Sequence, residues 1–377
     1  MQKLVKIVFS LTLLCIMLTV VAHAQENDEL NDMLENQYEQ YDLSDIDTFM
    51  KEETGTTYSE IITSILNGTF NIQETVGNNL VAIIMPSFKK AIQGMPILIL
   101  LILITGIISN LLPEGSSFYK QLSNIASASI CVCLFISFIS VFNGAKEAIN
   151  SISEGMNQAI PLLSVALVAS GATSTANTLS PESAIISQGG ANIINNIVLP
   201  LILVMAIILI LDVVFVQNRF SNVFNFGKSL ITWGAGGLFT IYAAMVSING
   251  FASASYDGIS LRAVRYAMSN TIPLIGSLLG DGVNMAIACC SIVKSAMGIA
   301  TFIMIILVSV APIASMTIYL LILRAVSACI SPFASSEVLR LISSTADLIK
   351  IMVSVLMGLL IIILIMLGFV IAAANSF

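Results

Sequence analysis

The chain has 377 residues, 57% hydrophobic and only 10% charged, with a mean hydropathy of +0.96 and a formal net charge of −7. Soluble domains carry about a quarter charged residues, so this composition excludes an ordinary globular protein and points to a polytopic helical membrane protein. The apolar runs are continuous rather than alternating, which excludes a β-barrel.

At the N-terminus, Lys3 and Lys6 form a basic n-region, Leu4 to Val21 an apolar h-region, and Ala22-His23-Ala24 precedes polar Gln25. This is the pattern of a cleavable secretory signal peptide over residues 1–24; the alternative is an uncleaved first transmembrane helix. In both cases the basic flank stays inside, and the residues after Ala24 are placed outside the cytoplasm. Residues 25–57 form an acidic extracytoplasmic tail: half of the chain's acidic residues lie between Glu26 and Glu53, against the single base Lys51. Such a block is expected to be flexible or partly helical, serving either as a solvated arm or as a docking arm for a basic partner.

Residues 58–92 read as two amphipathic juxtamembrane helices. Ile61, Ile62, Ile65 and Leu66 share one helical face, and a second apolar series runs from Ile72 to Phe88. Asn71 and Glu74 have capping-box spacing for that second helix, and Lys89 and Lys90 close its last turn, where cations suit the helix dipole. Helices of this kind lie on the membrane surface or pack on their neighbours.

The remainder, 93–377, is the polytopic domain, an all-α architecture with about six transmembrane helices near 95–112, 124–142, 193–217, 229–250, 299–323 and 348–374. Two stretches, 124–217 and 229–323, repeat one layout. Each has an apolar segment, an Asn-Gly exit (Asn143-Gly144 and Asn249-Gly250), a polar run, a Met-x-x-x-Ile-Pro-Leu motif (Met156–Leu162 and Met268–Leu274) and another apolar segment. Duplicated units with Pro- and Gly-broken hydrophobic stretches are how many permeation pathways are built. The short pieces after Pro161 and Pro273 are expected to be re-entrant hairpins. The first meets a polar small-residue stretch at Gly171, and the second is broken at Gly280-Asp281-Gly282. Six spans make the two copies parallel; full crossing by both short pieces would give eight spans and inverted copies.

Charges inside apolar segments need a partner or water. Asp212 lies in the run Ile210–Val214, close enough to Gln217-Asn218-Arg219 to bond its own helix end. Asp281 between two glycines either caps the following helix or lines an aqueous path. Arg262 and Arg265 share a helical face and suit headgroups, a partner or Asp281. Gly234-Ala235-Gly236-Gly237 lacks a following lysine and reads as a small-residue packing face, not a nucleotide loop. The cysteines lie in or beside apolar segments, and the single histidine, His23, lies in the signal region, so neither disulfides nor a metal site is expected. No catalytic constellation, cofactor motif or nucleic-acid stripe is present; the expectation is a non-enzymatic membrane scaffold without a cofactor.

The run Ser260–Gly282, containing Arg262, Arg265, Met268-Ser269-Asn270 and Gly280-Asp281-Gly282, resembles the stage III sporulation protein AE family. So do Cys290–Ile299, the first copy Ile160–Thr173, and the order of signal peptide, acidic ectodomain and polytopic domain. The resemblance implies a role in endospore formation, in a channel or secretion-like complex in the mother-cell membrane surrounding the forespore. Its implied partners are the other stage III sporulation A membrane proteins and, across the intermembrane space, stage II sporulation protein Q. The lipid bilayer and a homo-oligomer complete the expected contacts. Alternatives are a stand-alone secondary transporter and a purely structural scaffold of the same complex.

Overall fold

The structure is a computed structural model, which describes residues 41–70, 117–214, 220–271, 276–331 and 336–372, with isolated positions between 85 and 104. Its described residues are helical, without strands. The elements are α1 (Ser44–Thr54), α2 (Tyr58–Leu66), α3 (Ser117–Ala169), α4 (Thr173–Ser183), α5 (Gly190–Ile193), α6 (Leu199–Val214), α7 (Ser221–Thr271), α8 (Gly276–Ile330) and α9 (Ser336–Ala372). Two π-helical segments, Ala184–Gly189 and Ile194–Val198, join α4, α5 and α6 into one rod.

Among the described residues, five helical stretches are long and apolar enough to cross a membrane: Ala128–Ala169, Thr173–Asp212, Ser221–Ser260, Ile287–Ile330 and Val338–Ala372. Each contains most or all of one expected span. The remaining expected span, 95–112, falls largely outside the described residues, as do the signal region, the second amphipathic helix with Asn71 and Glu74, and Pro273. At 1.5 Å per residue, the 53 residues of α3 extend about 80 Å. That far exceeds the roughly 30 Å of bilayer hydrocarbon that a spanning helix must cross.

Contacts between distant residues fix the directions. Asp212 meets Arg340 at one end, and Thr178 meets Ser253 at the other. The rods therefore alternate in direction, and α3 and α7 run the same way. The α3–α6 and α7–α8 stretches are thus long helical pairs oriented in parallel. α9 is the most buried of the five spanning stretches and packs against α3, α6, α7 and α8. Glycines bring helices together at Gly227, Gly250 and Gly358, where an added Cβ would collide with Met205, Phe369 and Phe239. Gly234, Gly236 and Gly237 do not have this role: no atom lies within 4 Å of an added Cβ there. Their helix face also exposes Phe226, Leu230, Trp233 and Ile241, an apolar strip suited to lipid.

The expected re-entrant hairpins take another form. Pro161 lies inside α3, and residues 160–169 are its last turns. Proline removes the donor to the carbonyl of Asn157, but both residues are exposed, so that carbonyl is free to meet solvent. The chain turns instead at Gly171, ten residues later, with a left-handed φ of 85°. The Gly171 amide donates to Val168 O and the Ala172 amide to Leu167 O, a Schellman closure that requires glycine's freedom. In the second copy, Gly280-Asp281-Gly282 lies within α8 and does not break it; the join at 272–275 is outside the described residues.

Part of the acidic tail is ordered. α1 buries Ile46, Phe49 and Met50, ends at Gly55 (φ 80°), and sets the Phe49 ring against Gly155 of α3. Just ahead of it, Ser44 donates to Asp42 Oδ1 through its hydroxyl (2.6 Å) and amide (3.1 Å), which holds the Asp42 carboxyl below its usual range. α2 begins with a reciprocal capping box of Thr57 and Glu60 and buries Tyr58, Ile61, Ile62 and Ile65. Asp47 accepts the Ser59 amide at 2.8 Å and hydroxyl at 2.7 Å, joining the two helices. Tyr58 then bonds Met297 O and the Thr301 hydroxyl of α8, each at 2.8 Å.

Candidate functional site

Where α3 turns into α4, the bundle holds a buried polar seam. Asp257 of α7 is fully buried and accepts three hydrogen bonds from α4: the Ser174 amide at 2.7 Å, the Thr175 amide at 3.0 Å and the Thr175 hydroxyl at 2.6 Å. A carboxylate at a helix start satisfies orphan amides and complements the dipole, so Asp257 caps α4 from another helix. One turn earlier on α7, the Ser253 hydroxyl shares a 2.9 Å bond with Thr178. Lys294 of α8 is also fully buried; among the described residues its Nζ has no hydrogen-bond partner, and Asp257 is the charge that acts on it. Glu182, 7% exposed, has Asn249 as its hydrogen-bond neighbour and leaves Oε1 unsatisfied. Buried charge is costly unless hydrogen-bonded or balanced, and here Asp257 meets that cost with its three bonds from α4.

The opposite end carries a second charge system. Asp212, 5% exposed, receives Arg340 Nη2 at 2.9 Å on Oδ2 and the Phe220 amide at 2.9 Å on Oδ1. Asp347 pairs with both Lys228 and Arg324. Together these ties fasten the ends of α6, α7, α8 and α9.

Between α3 and α8 runs a groove of about 670 Å³. Glu53 and Glu147 stand at one end, Ser140 and Ser315 along its walls, and Ser137 with Tyr319 at the other end. Pro312 lines it too, and by lacking an amide hydrogen leaves the carbonyl of Val308, also on the groove, without its helical donor. Tyr319 is 5% exposed, and its hydroxyl closes no hydrogen bond of full geometry, with Ser137 as its polar neighbour.

The residues singled out from sequence do not converge. Asp212 joins the charged end, and its amide contact belongs to the following helix rather than its own. Pro161 lies inside α3, ten residues before the α3–α4 turn at Gly171, and Arg262 is exposed on α7. Gly280, Asp281 and Gly282 are placed by backbone alone within α8, and the Arg265 side chain is outside what is described. Asp257 and Glu182 are not apparent from sequence, because each sits in a polar stretch that reads as solvated. The Thr57-x-x-Glu60 capping signal, by contrast, is legible there. Among the described residues, no group of three His, Cys, Asp or Glu side chains is placed to hold a metal ion.

Comparison with known proteins bears on this membrane bundle as a whole. The family model for Stage III sporulation protein AE matches residues 56–374, from the start of α2 to beyond the end of α9. Stage III sporulation protein AE of Bacillus subtilis (strain 168) is 25% identical over 224 residues, which cover 58% of this chain and 56% of that protein. The match thus spans little more than half the length of that curated relative. No solved structure matches the chain. With nearly the whole described bundle inside the family match, the chain belongs to the stage III sporulation protein AE family.

Proposed function

We propose that this protein is a membrane component of the channel or secretion-like complex that links mother cell and forespore during endospore formation. It works there with the other stage III sporulation A proteins and, across the intermembrane space, with stage II sporulation protein Q. The family match over 56–374 carries this reading. Its place is the mother-cell membrane around the forespore, as a multi-pass protein whose signal peptide is removed after Ala24.

Charge supports the orientation. The basic n-region of Lys3 and Lys6 stays inside, so α1 and α2 dock on the outer side and Lys228, Arg324 and Arg340 face the cytoplasm. The docked helices favour membership of an assembly over a stand-alone carrier, which has little need for an acidic extracytoplasmic arm.

Deleting the gene in its spore-forming host should leave growth and engulfment intact but silence late forespore gene expression, and this chain supplied in the mother cell should restore it. Normal yields of heat-resistant spores from the deletion strain would refute the proposal. Affinity purification from sporulating cells should co-recover the named partners.

A further inference from the structure

We propose that the α3–α8 groove is a water-filled vestibule that admits small hydrated inorganic cations from the α1 side into the apolar depth of the bundle. This goes beyond the role in sporulation and does not depend on which complex the chain joins.

The groove connects two environments along one face of α3. Glu147 and Ser151 lie in the polar stretch beyond the apolar segment 124–142, whereas Ser137 and Ser140 lie within it. Positions 137, 140, 144, 147 and 151 form one helical stripe of small and acidic residues, about 21 Å long at 1.5 Å per residue, with Ile136, Val141 and Ala148 lining the cleft beside it. On α8, Ser315 and Tyr319 lie inside the apolar segment 299–323. Polar surface at that depth is tolerated where it borders a water-filled cavity, and about 670 Å³ is ample room for water.

The sign of the charge selects the occupant. Two carboxylates, Glu53 and Glu147, line the groove, and among the described residues no basic side chain does. Glu53 is brought there by α1, where its Oε1 accepts the Ser151 hydroxyl at 3.1 Å. A cleft lined by one sign of charge with low-dielectric walls concentrates counter-ions. At the deep end, the buried Tyr319 hydroxyl without a closed hydrogen bond is an oxygen of the kind that coordinates water or a hydrated cation, while the Val308 carbonyl freed by Pro312 lies toward the acidic mouth. An acidic mouth and an unsatisfied polar floor are independent observations, and both call for the same guest.

Thiol labelling of the full chain in lipid nanodiscs tests this. Cysteine is placed singly at Ser140 or Ser315, with the other native cysteines removed and exposed Cys329 kept as reference. Each site should react with a cationic methanethiosulfonate about tenfold faster than with an anionic one, after normalisation to Cys329. Glu147→Gln with Glu53→Gln should bring that ratio close to one while the reference rate stays fixed. The proposal is overturned if both sites stay unlabelled while Cys329 reacts, or if only a lipid-soluble maleimide reaches them. Equal rates for the two charges would overturn it too. Two isosteric cysteine sites, each checked for monodisperse elution, keep a folding defect from deciding the result.

Discussion

Asp257 holds Thr175 twice, through its amide at 3.0 Å and its hydroxyl at 2.6 Å, across 82 residues of sequence. The carboxylate thereby has its hydrogen bonds filled from α4, and the buried Lys294 takes none of them. That division of labour makes the two partners unequal. Asp257→Ala leaves the Ser174 and Thr175 amides and the Thr175 hydroxyl without their acceptor, a loss of about 2–3 kcal/mol. Lys294→Met leaves Asp257 fully bonded and should cost less than about 1.5 kcal/mol. Thermal unfolding of the purified protein in detergent measures both. Equal costs would mean that the pair, and not the cap, dominates.

The charged end offers a comparison of burial. Asp212 is 5% exposed, whereas the Lys228, Arg324 and Asp347 side chains are 36%, 48% and 26% exposed. Arg340→Leu, which strands the Asp212 carboxylate, should destabilise by about 3 kcal/mol. Asp347→Ala should cost no more than about 1 kcal/mol and become milder in high salt. Chemical denaturation at low and high ionic strength separates them, and a salt-insensitive, large effect at Asp347 would contradict the assignment.

Two glycines should respond oppositely to alanine. Gly171 sits at a φ of 85° and closes the α3–α4 turn, so Gly171→Ala should lower stability by about 1 kcal/mol. Gly234 lies inside α7 with open space around an added Cβ, so Gly234→Ala should raise stability by up to about 1 kcal/mol. A loss at Gly234 would show that this face packs against a protein surface after all. Shifts in unfolding temperature give the sign directly.

Tyr58→Phe tests the docking of the acidic arm. It removes the hydroxyl that bonds Met297 O and Thr301 and should loosen α1 and α2 by about 1–2 kcal/mol while keeping the ring packed. Limited proteolysis should then cut near Gly55 and Gly68 several-fold faster than in the parent, with the core helices still protected. Unchanged cutting rates would place the arm's anchorage in its apolar contacts.

Sequence reading reaches the membrane class and the centres of the described spans because continuous apolar runs have few other physical outcomes. It also locates Gly171 and marks Asp212 as needing a partner. It fails where the fate of a breaker depends on its helix face. Pro161 reads as a break, but its face is exposed and the freed carbonyl costs little there. Gly280 and Gly282 read as a hairpin tip, yet glycine lowers helix stability by only about 1 kcal/mol, too little to end a helix of 55 residues. Of the two Ile-Pro-Leu motifs, the first lies inside α3 and the second falls outside the described residues. Asp257 and Lys294 escape notice because they sit on different helices, and nothing local signals that α7 will bring one carboxylate to both α4 and α8.

The bond from Tyr58 to Met297 spans 239 residues, which gives the protein a built-in delay. Ribosomes add roughly 5–20 residues per second, so the seat for α2 is synthesised roughly 12–50 s after α2 itself. Through that interval Ile61, Ile62 and Ile65 have no groove to enter, and the bilayer surface is the apolar refuge at hand. Docking of the arm therefore reports that the chain has been translated past Thr301, a completion signal written into the order of the gene.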